Sequence, residues 1–166
     1  PISFYFESLE NVPQVRTVKF APGAVADTLT SFSGRIGPSA GLNCTTRQIS
    51  ALCFLEHGAS ASHGTVREPC AVANKFSDPS VLIPIYVGGA TVIEAYWKSV
   101  QMPGEGVFVG DPLTRPWRPS SSSSPTYPMG WPTSYPPTRQ CDTPPPPAPS
   151  HVPAVAVQPQ RPAAAT

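Results

Sequence analysis

The chain has 166 residues with 11 basic and 10 acidic side chains, a formal net charge of +1, and 24 prolines. Its basic residues are scattered, with only Arg16 and Lys19 close together, so the stripe that a nucleic-acid surface needs is missing and that function class is excluded. The longest apolar run, 81–87, is broken by Pro84 and is far too short to span a bilayer.

Reading along the chain, 15–20 (VRTVKF) alternates and is β-branched, which predicts a half-buried strand after Pro13 and before Pro22-Gly23. The next stretch, AVADTLTSF, predicts a short helix closing on Gly34, followed by a Gly/Pro/Ser loop over 37–42. Residues 46–55 place Ile49, Leu52, Cys53 and Phe54 near one helical face, with Thr45 or Thr46 as N-cap and Gly58 as the stop. The small and β-branched residues of 59–66 (ASASHGTV) predict a tightly packed interior strand. An irregular loop follows over 67–77. Asp78 then caps a helix with Pro79 at its first position, and Pro84 is expected to bend or break it before Gly88-Gly89. Thr91 to Glu94 is a capping box, and Ile93, Tyr96, Trp97 and Val100 form a stripe expected to face the core. A short buried strand over 107–109 leads to Gly110-Asp111-Pro112.

Strand, helix, strand, helices, strand is the order of a mostly parallel sheet covered by helices. The expected fold class is therefore α/β, a partial three-layer αβα sandwich over residues 1–115. Three strands with one covering layer make a poor independent domain, so further strands are expected from a missing N-terminal half or from another chain covering the open sheet edge. Residues 116–166 hold 15 of the prolines and only four charged side chains. Such a Pro/Ser/Ala-rich tail has too little apolar surface to offset backbone ordering and is expected to be disordered or locally polyproline II.

No complete catalytic constellation is legible. The four cysteines, at 44, 53, 70 and 141, fit no zinc or redox spacing; Cys53 reads as a buried free thiol, and a disulfide between Cys44 and Cys70 is open if the protein is exported. His57-Gly58 sits at a helix end, where a histidine suits the dipole. His63 lies within the small-residue strand. The most site-like group is Glu68-Pro69-Cys70, a carboxylate and a thiol just past the C-terminal end of a strand, where open α/β sheets place ligands. Asp27 and Ser31 are further candidates for the rim of a site, with capping and turn roles as the plainer explanation. No cofactor and no metal site is expected.

Gly23-Ala24-Val25-Ala26-Asp27, Leu29-Thr30-Ser31-Phe32 and Gly34, then Gly64-Thr65-Val66 and Glu68-Pro69-Cys70, then Glu94 to Val100 (EAYWKSV) and Gly110-Asp111-Pro112-Leu113 resemble the C-terminal part of an uncharacterised bacterial protein family. The resemblance covers about residues 18–116. It implies a longer, often exported or periplasmic protein of which this chain lacks the N-terminal half. More distantly, the layout is similar to gingipain-type, caspase-like cysteine peptidases. That likeness implies a caspase-like αβα sandwich and carries no activity across, because no cysteine stands between Thr28 and Gly34 and His57 follows that region instead of preceding it. The expected function is a fragment without catalytic activity of its own. The alternatives are a hydrolase-like enzyme completed by the missing half, with Asp27, Ser31, Glu68 and Cys70 on the rim, and an exported interaction or cell-envelope protein with a proline-rich spacer.

Overall fold

The computed structural model describes residues 1–37, 44, 48–67 and 72–118. Among the described residues, four strands form one sheet in the order β1-β2-β3-β4, namely β1 (Ile2–Glu7), β2 (Phe20–Thr28), β3 (Ala61–Thr65) and β4 (Gly106–Gly110). The first three are parallel and β4 pairs antiparallel to β3. The helices are α1 (Ala51–Glu56), α2 (Pro79–Val87) and α3 (Val92–Ser99). The α/β class with a mostly parallel sheet is thus as expected from the order of elements.

The sheet has one strand more than the three expected, β1, and two readings around β2 fail. The stretch read as a helix after Gly23 is the second half of β2, and the strand expected over 15–20 is instead a 3-10 turn (Pro13–Arg16), β2 starting only at Phe20. Gly23 to Thr28 is buried along its whole length between two neighbours. A strand covered on both faces shows a run of small apolar residues with no alternation, which resembles a helix interior when read alone. The first strand, β1, alternates between the faces: Phe4 and Phe6 pack against the α2/α3 side, Tyr5 against the opposite side.

The sheet is covered on both faces. Val12 and Val15 from the β1–β2 connection and Ile49, Cys53 and Phe54 around α1 pack with Ala26 on one side. Leu82, Ile85 and Tyr86 of α2 and Val92, Ala95 and Tyr96 of α3 pack with Val25 and Ala61 on the other. A single crossover returns the chain to the starting end of the sheet and makes the next strand parallel. Two helices in succession return it to the end it left, so β4 begins at Gly106 opposite Thr65 and runs antiparallel.

The caps explain the helix limits. Ser50, not Thr45 or Thr46, caps α1 through the Leu52 N–H, and Gly58 stops it at φ +101°. Asp78 caps α2 at the Ser80 N–H (2.8 Å) with Pro79 in the first turn. Pro84 does not break that helix, which continues to Val87 because Leu82, Ile85 and Tyr86 are buried on both sides of it. In α3 the reciprocal capping box of Thr91 and Glu94 forms, and Tyr96 and Val100 face the core. Trp97 does not: it is 40% exposed and touches the fold edgewise through His63. At 100° per residue, Trp97 lies a full step past Tyr96, toward the solvent side of the stripe.

Packing continues to the end of the described chain. Trp117 stacks on Phe4 at 5.5 Å and meets Tyr86 edge-on at 4.9 Å, while Pro116 fills the space above Gly23. The first residues of the tail expected to be disordered, Pro116 and Trp117, are thus packed on the sheet; 119–166 lie outside the described residues.

Gly34 and Gly64 touch backbone to backbone, so that a Cβ on either would overlap main-chain atoms of the other. We expect Gly64→Ala to cost about 2–3 kcal/mol, since neither main chain can move without breaking the Gly34 N–H bond to the Thr65 carbonyl. Urea midpoints measure it; a change below about 0.5 kcal/mol would mean the two strands-and-turn segments do not touch.

Candidate functional site

The polar centre of the molecule is Asp27, the penultimate residue of β2, whose side chain is 1% exposed beneath α3. One oxygen, Oδ1, accepts from the His63 backbone N–H (2.7 Å), the Tyr96 hydroxyl (2.7 Å) and the Ser62 hydroxyl (3.3 Å). The other, Oδ2, accepts from the Ser77 hydroxyl at 2.5 Å. One carboxylate therefore joins β2, β3, the segment entering α2, and α3. Burial pushes the carboxyl up to about 6; the bonds from Ser77, His63, Tyr96 and Ser62 oppose that shift without cancelling it. Burial, reinforced by the Asp27 charge, holds the Tyr96 phenol well above its ordinary range.

His63 stands next to this group in β3, 2% exposed, with its ring near those of Tyr96 and Trp97 (6.0 Å each). Desolvation lowers it to about 4, so the imidazole is neutral at pH 7. Its Nε2 is buried without a hydrogen-bond partner among the described residues and lies against Gly106, where a Cβ would overlap it. Glycine at the first position of β4 is thus what admits the ring.

A second set of hydroxyls ties the turn after β2 to the strand ends. Thr65 donates to the Thr30 carbonyl (2.7 Å), Ser33 to the Thr28 carbonyl (3.3 Å), and Thr28 to the Leu9 carbonyl (3.2 Å). Ser31 is half-buried in this turn. The structure does not bring it to the Asp27 carboxylate, whose four donors come from elsewhere. Glu68 and Cys70 lie outside the described residues. The chain reaches them from Arg67, directly past the C-terminal end of β3, and the Arg67 carbonyl accepts from the buried Lys75 Nζ at 3.2 Å.

Cys53 is not a free thiol, and the pairing considered for Cys44 with Cys70 is not formed: Cys44 and Cys53 make a disulfide. Residue 44 lies over the buried face of α1, which points Cys53 at it. Cys44, Cys53 and Glu56, with His57 beside them, are the described residues whose donor types and positions suit a metal ion.

Sequence reasoning marked Asp27 and His63 but missed Ser77 and Tyr96 as partners. Residues 27, 63, 77 and 96 are joined only by the sheet and helix packing, and no local spacing reveals it. A tyrosine on an otherwise apolar helix stripe was the one available signal, since a buried phenol needs a partner. Comparison with protein-family models, with curated proteins and with solved structures found no match to this chain.

Proposed function

We propose that this chain is part of an exported αβα domain of caspase-like layout, in which the Asp27 network holds helix and sheet layers together and does not act on a bound molecule. The observation that carries this reading is the commitment of the Asp27 carboxylate: it is 1% exposed and accepts four bonds, all from its own chain. A general base must instead reach a substrate proton directly or through one water. The Cys44–Cys53 disulfide supports export, because such bonds persist in oxidising compartments.

A second reading, a hydrolase-like enzyme, is favoured by topology. Parallel strands β2 and β3 bring the Ser31 turn and Arg67, which precedes Glu68 and Cys70 in the sequence, to the same end of the sheet. Iodoacetamide labelling of the full chain at pH 7 separates the two. The structural reading expects Cys70 to react at the rate of an unperturbed thiol. A rate about tenfold or more higher would mark an activated thiolate and favour the enzyme.

A further inference from the structure

Beyond that reading, the end of α1 carries a group of side chains that the Asp27 network does not use. Cys53, Glu56 and the C-cap residue His57 stand at i, i+3 and i+4, so they share one face of the helix end. Cys44 lies directly over that face. Its Sγ is 3.6 Å from a Glu56 carboxylate oxygen and 3.8 Å from His57 Nδ1, and the donor atoms of Cys44, Cys53 and Glu56 all lie within 4.8 Å of one another.

These separations have a specific meaning. Zinc bonds of about 2.3 Å to sulfur and about 2.0–2.2 Å to nitrogen or oxygen, arranged tetrahedrally, put neighbouring donor atoms roughly 3.5–3.8 Å apart. The Cys44–Glu56 and Cys44–His57 distances already fall at those edge lengths. Two adjustments remain: the two sulfurs, bonded to each other, are too close, and the His57 ring, which stands outside the mutual 4.8 Å grouping of Cys44, Cys53 and Glu56, has to turn inward to become the fourth ligand. Burial is also graded in the way a site needs: both cysteines are buried, His57 is half-buried and Glu56 is exposed, which leaves an entry path from solvent.

We infer that Cys44, Cys53, Glu56 and His57 form a redox-gated zinc site, closed as the disulfide and opened by reduction. A dithiol supplies two electrons and two protons and is itself oxidised to a disulfide; a phosphine supplies the two electrons and water the two protons and the oxygen of the phosphine oxide. Either way the S–S bond breaks to give two thiols. Binding of Zn²⁺ then releases both thiol protons and forms two Zn–S bonds, with the Glu56 carboxylate and the His57 imidazole completing four ligands. His57 Nδ1 now donates to the Cys53 carbonyl at 2.8 Å, because a carbonyl oxygen can only accept. Metal binding through Nδ1 breaks that bond and moves the ring proton to Nε2.

The test uses the full chain with Cys70→Ser and Cys141→Ser, so that any thiolate signal comes from residues 44 and 53. After reduction by a phosphine and its removal, titration with Co²⁺ is expected to give one bound ion per chain with thiolate-to-cobalt charge-transfer bands, displaced by equimolar Zn²⁺. The oxidised chain is expected to show no such bands. His57→Asn and Glu56→Gln, both at side chains that are not fully buried, are each expected to weaken Zn²⁺ binding by at least about tenfold, since loss of even an outer partner of a metal ligand costs about that much. Equal Zn²⁺ affinity of the reduced and oxidised chains would overturn the site. So would charge-transfer bands whose strength and affinity are unchanged in both His57→Asn and Glu56→Gln.

Discussion

At pH 5, Asp27→Ala is expected to lower the unfolding free energy by about 3–5 kcal/mol. The substitution leaves the Tyr96 and Ser77 hydroxyls and the His63 N–H without their acceptor in a site closed to water. Each buried donor left unpaired costs about 1–3 kcal/mol, reduced where side chains turn to new partners. Because a small domain has only about 5–15 kcal/mol in total, this one change removes about a fifth or more of it. Asp27→Asn keeps the shape and most acceptor capacity, and it should cost less than half as much. Urea denaturation at fixed pH measures both; equal, small effects would mean that the carboxylate joins nothing of consequence.

That loss depends on pH, and the direction is fixed by the two shifted groups. Asp27 has its folded value raised from 3.8 to about 6, so the folded state holds this proton more tightly than the unfolded chain does. Its contribution is fully present below about pH 3.8 and is lost as pH rises through 6. At about 1.4 kcal/mol per unit the change is about 3 kcal/mol. His63 works in the opposite sense: its folded value is depressed from 6.5 to about 4, so its contribution is present above 6.5 and is lost as pH falls through 4. That change is also about 3 kcal/mol. In the parent chain the two slopes nearly cancel between pH 4 and 6. Removing either group exposes the other. The difference in stability between the parent and Asp27→Asn should shrink by about 3 kcal/mol from pH 4 to 7, while the difference between the parent and His63→Gln should grow by a similar amount. Parallel stability curves for all three chains would contradict both assignments.

The fold class was legible because helix signals are local. The Asp78-Pro79 start and the Thr91–Glu94 capping box are complete within four residues, and both helices begin where those signals place them. The interior strands were legible only in part. In 59–66 the small and β-branched residues marked the strand, but in Gly23–Thr28 burial on both faces erased the alternation by which a strand is recognised. The Asp27 network was the least legible, since its members are 35 to 69 positions from Asp27 and meet only after the sheet and α3 have packed. The same holds for Trp97. Helical spacing placed it near the stripe, and only the packing of α3 on the sheet decides that Tyr96 is covered while its neighbour, a 100° step further round, is exposed.

Residues of the motifs quoted from the sequence take structural parts in this fold. Asp27 joins layers, Gly64 lets the β3 backbone meet Gly34, and Asp111 caps the turn that carries the chain to Trp117 through bonds to the Leu113 N–H (3.0 Å) and the Thr114 hydroxyl (2.9 Å).

The most direct measurement is the titration of the Asp27 carboxyl in the folded chain, followed by carbon NMR and assigned through its loss in Asp27→Asn. A carboxylate sealed between β2, β3 and α3 should titrate near pH 6, and Tyr96→Phe should move that midpoint upward by removing a donor to its charged form. A midpoint at the ordinary aspartate value, unmoved in Tyr96→Phe, would show that Asp27 is solvated and that the network does not hold the layers together.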